Sequence, residues 1–222
     1  MAYTDFLINI ILFAISLIGF IFGLKQFLFR KKGALYPKLI TLGFGAFMMG
    51  RLQGIVAGLA LTESYTHFNF GVLGTISCFL FLFTANYGVF DRIIDDRRAE
   101  MKKYRIIPII APAINIAICL PVFFSGCSVF DKFICCTVLF FVSQASYFNL
   151  KHAIFPDVEF GIADSIRGYN LVATLFSFFS TAEYTAHTID LRVFAVISHI
   201  GMCVCIIAAF PLLRKGVKTW TV

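Results

Sequence analysis

Long apolar runs alternate with short charged ones along this chain, and the apolar runs set its architecture. They cover residues 6–24, 39–62, 68–90, 106–130, 133–150, 168–189 and 193–213. Each falls in the range of about 17–25 residues that a helix needs to cross the hydrocarbon of a bilayer. The pattern predicts an all-α integral membrane protein, a bundle of about seven transmembrane helices forming one polytopic domain over residues 1–222. Pro108, Pro112 and Pro121 interrupt the fourth run, so a kink is predicted there. The first run follows Asp5 and no Lys or Arg, which is the wrong flank for a cleaved signal peptide, so it is read as a permanent helix.

Composition strengthens this class. The chain is 59% hydrophobic and 14% charged, against about 25% charged residues in a soluble domain. So apolar a chain has too few polar residues to cover a water-facing surface. The lipid bilayer is its first partner.

Charge then gives an orientation. Lys25, Arg30, Lys31, Lys32 and Lys38 lie between the first two runs, and Arg92, Arg97, Arg98, Lys102, Lys103 and Arg105 between the third and fourth. Lys151 and Arg167 precede the sixth run, and Arg214, Lys215 and Lys218 follow the last. All of these fall on one side of a seven-span bundle, and only Lys132 and Arg192 fall on the other. Cytoplasmic loops carry the excess of Lys and Arg. The N-terminus is therefore expected outside and the C-terminus in the cytoplasm, with a bacterial cytoplasmic membrane as the expected location. The net charge of +7 reflects this bias toward an anionic leaflet and gives no reason to invoke nucleic acid.

Two features bear on packing and partners. Gly19 and Gly23, and then Gly50, Gly54 and Gly58, recur at four-residue steps, which lets helices approach closely. That approach serves contacts within the bundle, or a homo-oligomer interface. The mixed-charge linker 91–105 is expected to be a solvated helix extension or a docking surface for a cytoplasmic partner. The seven cysteines lie mostly inside apolar runs and include no C-x-x-C pair, so no disulfide framework or metal site is expected from them.

The candidate chemistry sits inside the membrane. Arg51 stands in the middle of a run that holds no other charge. A cation at that depth costs about 2.5–3.5 kcal/mol on insertion scales unless it finds a partner. In the sixth run, Asn170, Thr174, Ser177, Thr181 and Thr188 share one helical stripe, with Ser180, Glu183, His187 and Asp190 on the next. This polar face must look into the bundle. With a rise of about 1.5 Å per residue, Glu183, His199 of the last run and Arg51 fall at similar depths.

Arg51, Glu183, His199, Ser180, Tyr184 and Gln53 are therefore the candidate ligand-binding residues, with Arg51 meeting Glu183 and His199 joining the network. The expected function is binding or transport of a small molecule or ion through a polar cavity lined by helices 2, 6 and 7. The ligand would be a small anionic solute or lipid. A looser inner set comprises Thr84, Asn86 and Tyr87 with Ser143, Gln144, Ser146 and Tyr147. A seven-helix sensor signalling through a partner protein is the alternative.

A metal-dependent hydrolase comes third, with Glu183, His187 and Asp190, helped by His199 or His67, as ligands on one helix face. Seven-helix hydrolases of the ceramidase type carry a repeated H-x-x-x-H pattern that this chain lacks. No catalytic residue is assigned and no cofactor is expected. The seven-span plan also suits SWEET-like transporters, whose Pro-Gln signature is missing. A parallel remains between Tyr36…Arg51 and Tyr169…Glu183.

Overall fold

A computed structural model describes residues 2–30, 34–59, 70–91, 95, 99–156 and 161–218, and every described element is helical. Among the described residues, seven long helices follow one another. Helix α1 (Ala2–Gly23) continues through a wider turn, Leu24–Leu28, and α2 is Leu35–Leu59. Helix α3 (Phe70–Phe83) continues through Thr84–Asp91. Short turns from Ala99 lead into α4 (Ile110–Phe124). The rest are α5 (Val129–Ile154), α6 (Ile162–Thr188) and α7 (Arg192–Lys218).

Six of these helical runs are long and apolar enough to cross a membrane: Phe6–Leu28, Leu35–Ala57, Gly71–Asp91, Ala99–Phe124, Val129–Ile154 and Arg192–Lys218. Helix α6 matches them in length but is not among them, because its polar stripes lower its hydropathy.

Several helix ends differ from those predicted. The fourth run does not reach residue 130; its helix ends at Phe124, with Ser125 extended. Ser128 then caps α5, its hydroxyl accepting from the Asp131 amide while the Asp131 carboxylate accepts from the Ser128 amide. This capping box is a local signal that hydropathy overlooks. Around Pro108 the chain tightens to a 3₁₀ turn, since proline offers no amide for the α-helical ladder. Helix α5 runs on to Ile154, so Lys151 is helical rather than in the loop predicted to begin there. Residues 60–62 and 68–69, predicted as helix ends, lie outside the described residues, as does His67.

The helices close into a ring in the order α1, α2, α3, α5, α6, α7 and back to α1, while α4 packs outside against α5 and α6. Side-chain contacts fix their directions. Tyr36 meets Tyr169 near the starts of α2 and α6, and Arg51 meets Glu183 near their far ends, so these two helices are parallel. Lys151 meets Asp91 at the ends of α5 and α3, which are parallel as well. Lys25, Lys38, Arg105, Lys151 and Lys218 gather at one end, hereafter the basic end.

The ring has a repeat in it. Each of α1–α2–α3 and α5–α6–α7 is a run of sequential neighbours, and α3 touches α5 as α7 touches α1. Exchanging α1 with α5, α2 with α6 and α3 with α7 leaves this pattern of neighbours unchanged. Short sequence echoes support the match. Phe22-Gly-Leu-Lys25 resembles Phe148-Asn-Leu-Lys151, and Tyr36…Thr41-Leu42 resembles Tyr169…Thr174-Leu175 at the same spacing.

Aromatic rings fill the middle of the ring. Phe176 of α6 packs on Phe44, Phe47 and Phe79 at centroid distances of 5.3–5.5 Å, and Phe44 also meets Phe210 at 5.2 Å. Lipid tails are as apolar as these rings, so close packing rather than water exclusion holds them together. Backbones approach closely at Gly50 and Gly74: a Cβ built on Gly74 would stand 2.7 Å from the Ala46 carbonyl oxygen and from Gly50 Cα.

Candidate functional site

Among the described residues, three polar groupings interrupt the apolar bundle. The first lies at the end opposite the basic one. Arg51 projects from α2 one turn after Phe47, whose ring lies 4.6 Å from the guanidinium carbon. Its fork engages both carboxylate oxygens of Glu183 on α6, Nη1 with Oε1 and Nη2 with Oε2, the latter at 2.6 Å. The two side chains are only 12% and 9% exposed, so neither charge is left to water. A charge-assisted bidentate pair is the strong form of this interaction. It resolves the isolated arginine of the sequence: the cation is matched by a carboxylate at the same depth.

His199 of α7 completes the cluster. Its Nε2 lies 2.9 Å from Glu183 Oε1, and its Nδ1 lies 2.5 Å from the carbonyl oxygen of Ala195, one turn back. A carbonyl only accepts, so Nδ1 is the nitrogen that carries hydrogen. That bond fixes the ring with Nε2 turned toward Glu183.

The other candidates divide. Ser180 is buried beside the cluster but donates to Met202 Sδ at 3.5 Å. Tyr184 turns the other way, packing on Cys119, Val122 and Cys135 toward α4 and α5. It adjoins Glu183 in sequence, and adjacent helical residues do not share a face. Gln53 is half-buried two residues beyond Arg51, a spacing that rotates it off Arg51's face. No hydrogen bond joins it to the cluster among the described residues.

His187 is exposed, one turn beyond Glu183, and its ring stands edge to face with His199 at 5.5 Å. Asp190 lies past the end of α6 with φ 55, and its carboxylate is 3.7 Å from Arg192 Nε rather than in the cluster. Ligand atoms of Glu183, His187 and His199 all lie within 4.8 Å of one another, so among the described residues these three, without Asp190, could hold a metal.

The second grouping is at the basic end. The Tyr36 hydroxyl lies 3.2 Å from Asn86 Oδ1 and 3.2 Å from Asn170 Oδ1. Asn86 Nδ2 donates to Asn149 Oδ1 at 2.5 Å, and His152 sits between Asn86 Oδ1 (2.9 Å) and Asp91 Oδ1 (3.2 Å). Lys151, buried, reaches Asp91 at 2.6 Å and Asp95 at 2.7 Å, and Arg105 clasps Asp95 through Nε and Nη2. The described ends of linker 91–105 are thus tied to the bundle. Asn86 and Asn170 stand out in the sequence as polar residues within apolar runs, whereas Lys151, His152, Asp91 and Asn149 do not stand out as a group. Lys151-His152 at the end of an apolar run was the available signal.

The third grouping is a seam between α6 and the pair α4–α5. Thr181 donates to Asn115 Oδ1 at 2.9 Å, and Asn115 Nδ2 donates to Ser146 Oγ at 3.0 Å. Thr181 of one polar stripe of α6 thus meets Asn115 of α4, while Glu183 of the other meets Arg51 and His199; Asn170, on the stripe of Thr181, meets Tyr36 at the basic end. Leu171 and Leu175 are exposed on the outer side of α6, as the pattern predicts. Within the predicted inner set, Tyr147 donates to the Arg105 carbonyl, whereas Tyr87 is half-exposed and stacks on Phe83.

No protein family, no characterised protein and no solved structure matches this chain.

Proposed function

We propose that this chain is a seven-span transporter for a small polar or anionic solute, lying N-terminus out and C-terminus in across a bacterial cytoplasmic membrane. One observation carries this reading: the equivalent helices α2 and α6 are held together by polar contacts at both ends, across an aromatic layer. Arg51–Glu183 closes one end, Tyr36 with Asn170 the other, and Phe44, Phe47 and Phe176 lie between. Many transporters are built from parallel repeats related by an axis along the membrane normal, and their halves rock against each other. Here rocking α1–α3 against α5–α7 would open either polar contact while the other stays shut.

Buried donors support a polar occupant near the basic end. Asn149 Nδ2, Asn170 Nδ2 and the Tyr169 hydroxyl have no hydrogen-bond partner among the described residues. Each such group costs roughly 1–3 kcal/mol when buried unsatisfied. A solute bearing acceptor oxygens would satisfy them. At the other end, an anionic group would compete with Glu183 for the Arg51 fork, which couples entry of the solute to opening of the pair.

Single cysteines placed in a background lacking the seven native ones test the gating. Ser180→Cys should react slowly with a membrane-impermeant maleimide added outside, and faster when Arg51→Met and Glu183→Gln are combined with it. Thr41→Cys should respond to reagent from the inside when Tyr36→Phe loosens the basic end. Equal protection in every background would show two static, dry contacts and end the transport reading.

A further inference from the structure

We infer that Glu183, His187 and His199 form a binding site for a borderline divalent transition-metal ion, Zn²⁺ above all, at the end of the bundle opposite the basic one.

Local geometry assembles the three ligands. Glu183 and His187 are four residues apart on α6, a spacing that stacks side chains on one face. The α6–α7 connection is tight: Leu191 N bonds the Ala186 carbonyl at 2.8 Å, and Asp190 takes the left-handed conformation that reverses the chain. Helix α7 therefore returns directly along α6 and brings His199 beside the pair. One ligand atom from each residue lies within 4.8 Å of the others.

The ring of His199 is oriented as a ligand's would be. Its Nδ1–H is committed to the Ala195 carbonyl, and its Nε2 faces Glu183 Oε1 at 2.9 Å. A neutral imidazole in that tautomer would set a lone pair against a carboxylate oxygen. A cation placed between them would be shared by both lone pairs. An N–H bonded to a backbone carbonyl, which leaves the other nitrogen's lone pair for the ion, is also how metal-ligating histidines are oriented.

The donor set selects the ion. Two imidazoles and one carboxylate suit Zn²⁺, with a coordination position left for water, whereas Mg²⁺ prefers oxygen donors alone. Access is available because His187 is exposed while Glu183 and His199 are buried. Metal on Oε1 would replace Arg51 Nη1 there, while Nη2 keeps its 2.6 Å contact with Oε2. The ion would staple α6 to α7 and loosen α2, so it acts on the contact that the transport reading treats as a gate. The site itself does not depend on that reading.

Purified protein, stripped with a chelator and returned to detergent, tests it with ZnCl₂ and MgCl₂ as probes. We expect one retained zinc per chain, a rise in Tm with ZnCl₂ and none with MgCl₂. His187→Ala, at an exposed position, should fold normally and lose both retention and the Tm shift. His187→Asp, which restores an oxygen ligand, should recover some of each. Failure of the unmodified protein to retain zinc, or a Tm shift that survives His187→Ala, would overturn the site.

Discussion

The rings of Tyr36 and Tyr169 meet edge to face, with centroids 6.3 Å apart and planes at 84°. They occupy matching positions near the starts of α2 and α6. Arg51 lies fifteen residues after the first and Glu183 fourteen after the second, and these meet in turn. Two nearly equal spacings on two parallel helices thus place matching contacts at opposite ends of the bundle. Each contact can be tested separately.

The Arg51–Glu183 pair should behave as a coupled unit. Arg51→Met and Glu183→Gln alone each leave one buried polar partner unmatched and should each lower stability by about 3–5 kcal/mol. Combined, they should recover most of that loss. Unfolding in mixed micelles gives the cycle, and strictly additive losses would mean the contact contributes no coupling.

Lys151 holds two carboxylates together at the basic end. Lys151→Met would leave Asp91 and Asp95 facing each other without the cation between them. A loss of about 3 kcal/mol or more is expected, and Lys151→Arg should retain some of the stability. An unchanged unfolding midpoint for Lys151→Met would show that the pair is neutral to the fold.

The α2–α3 contact is predicted to reject a single methyl group. In Gly74→Ala the new carbon would meet backbone atoms of Ala46 and Gly50, which cannot rotate away. Overpacking of this kind costs about 1–3 kcal/mol. Gly126→Ala has nothing within 4 Å and serves as the neutral control. Thermal unfolding of both variants checks this, and equal midpoints would contradict the close approach.

Topology is open to direct measurement. A reporter fused after Lys218 should report the cytoplasm, and a tag before Met1 the outside, as the basic bias requires. Both ends on the same side would mean that α6, the most polar of the long helices, does not cross.

The lengths of the apolar runs, the side on which the basic residues gather and the shared depth of Arg51, Glu183 and His199 were legible in the sequence. All three are one-dimensional quantities, set by hydropathy, charge count and the rise per residue. Helix ends were only partly legible: hydropathy carried the fourth run past the Ser128–Asp131 capping box, a signal of four residues rather than twenty. Azimuth was not legible. Gln53 and Tyr184 share the depth of the cluster yet face elsewhere, and Asp190 left it because the chain reverses there. The basic-end network joins residues 36, 86, 91, 149, 152 and 170 from four helices, and α4 lies outside the ring. Those neighbours depend on the order in which helices pack side by side. Close packing of particular surfaces decides that order, and each helix's own periodicity carries no record of which partner its faces meet.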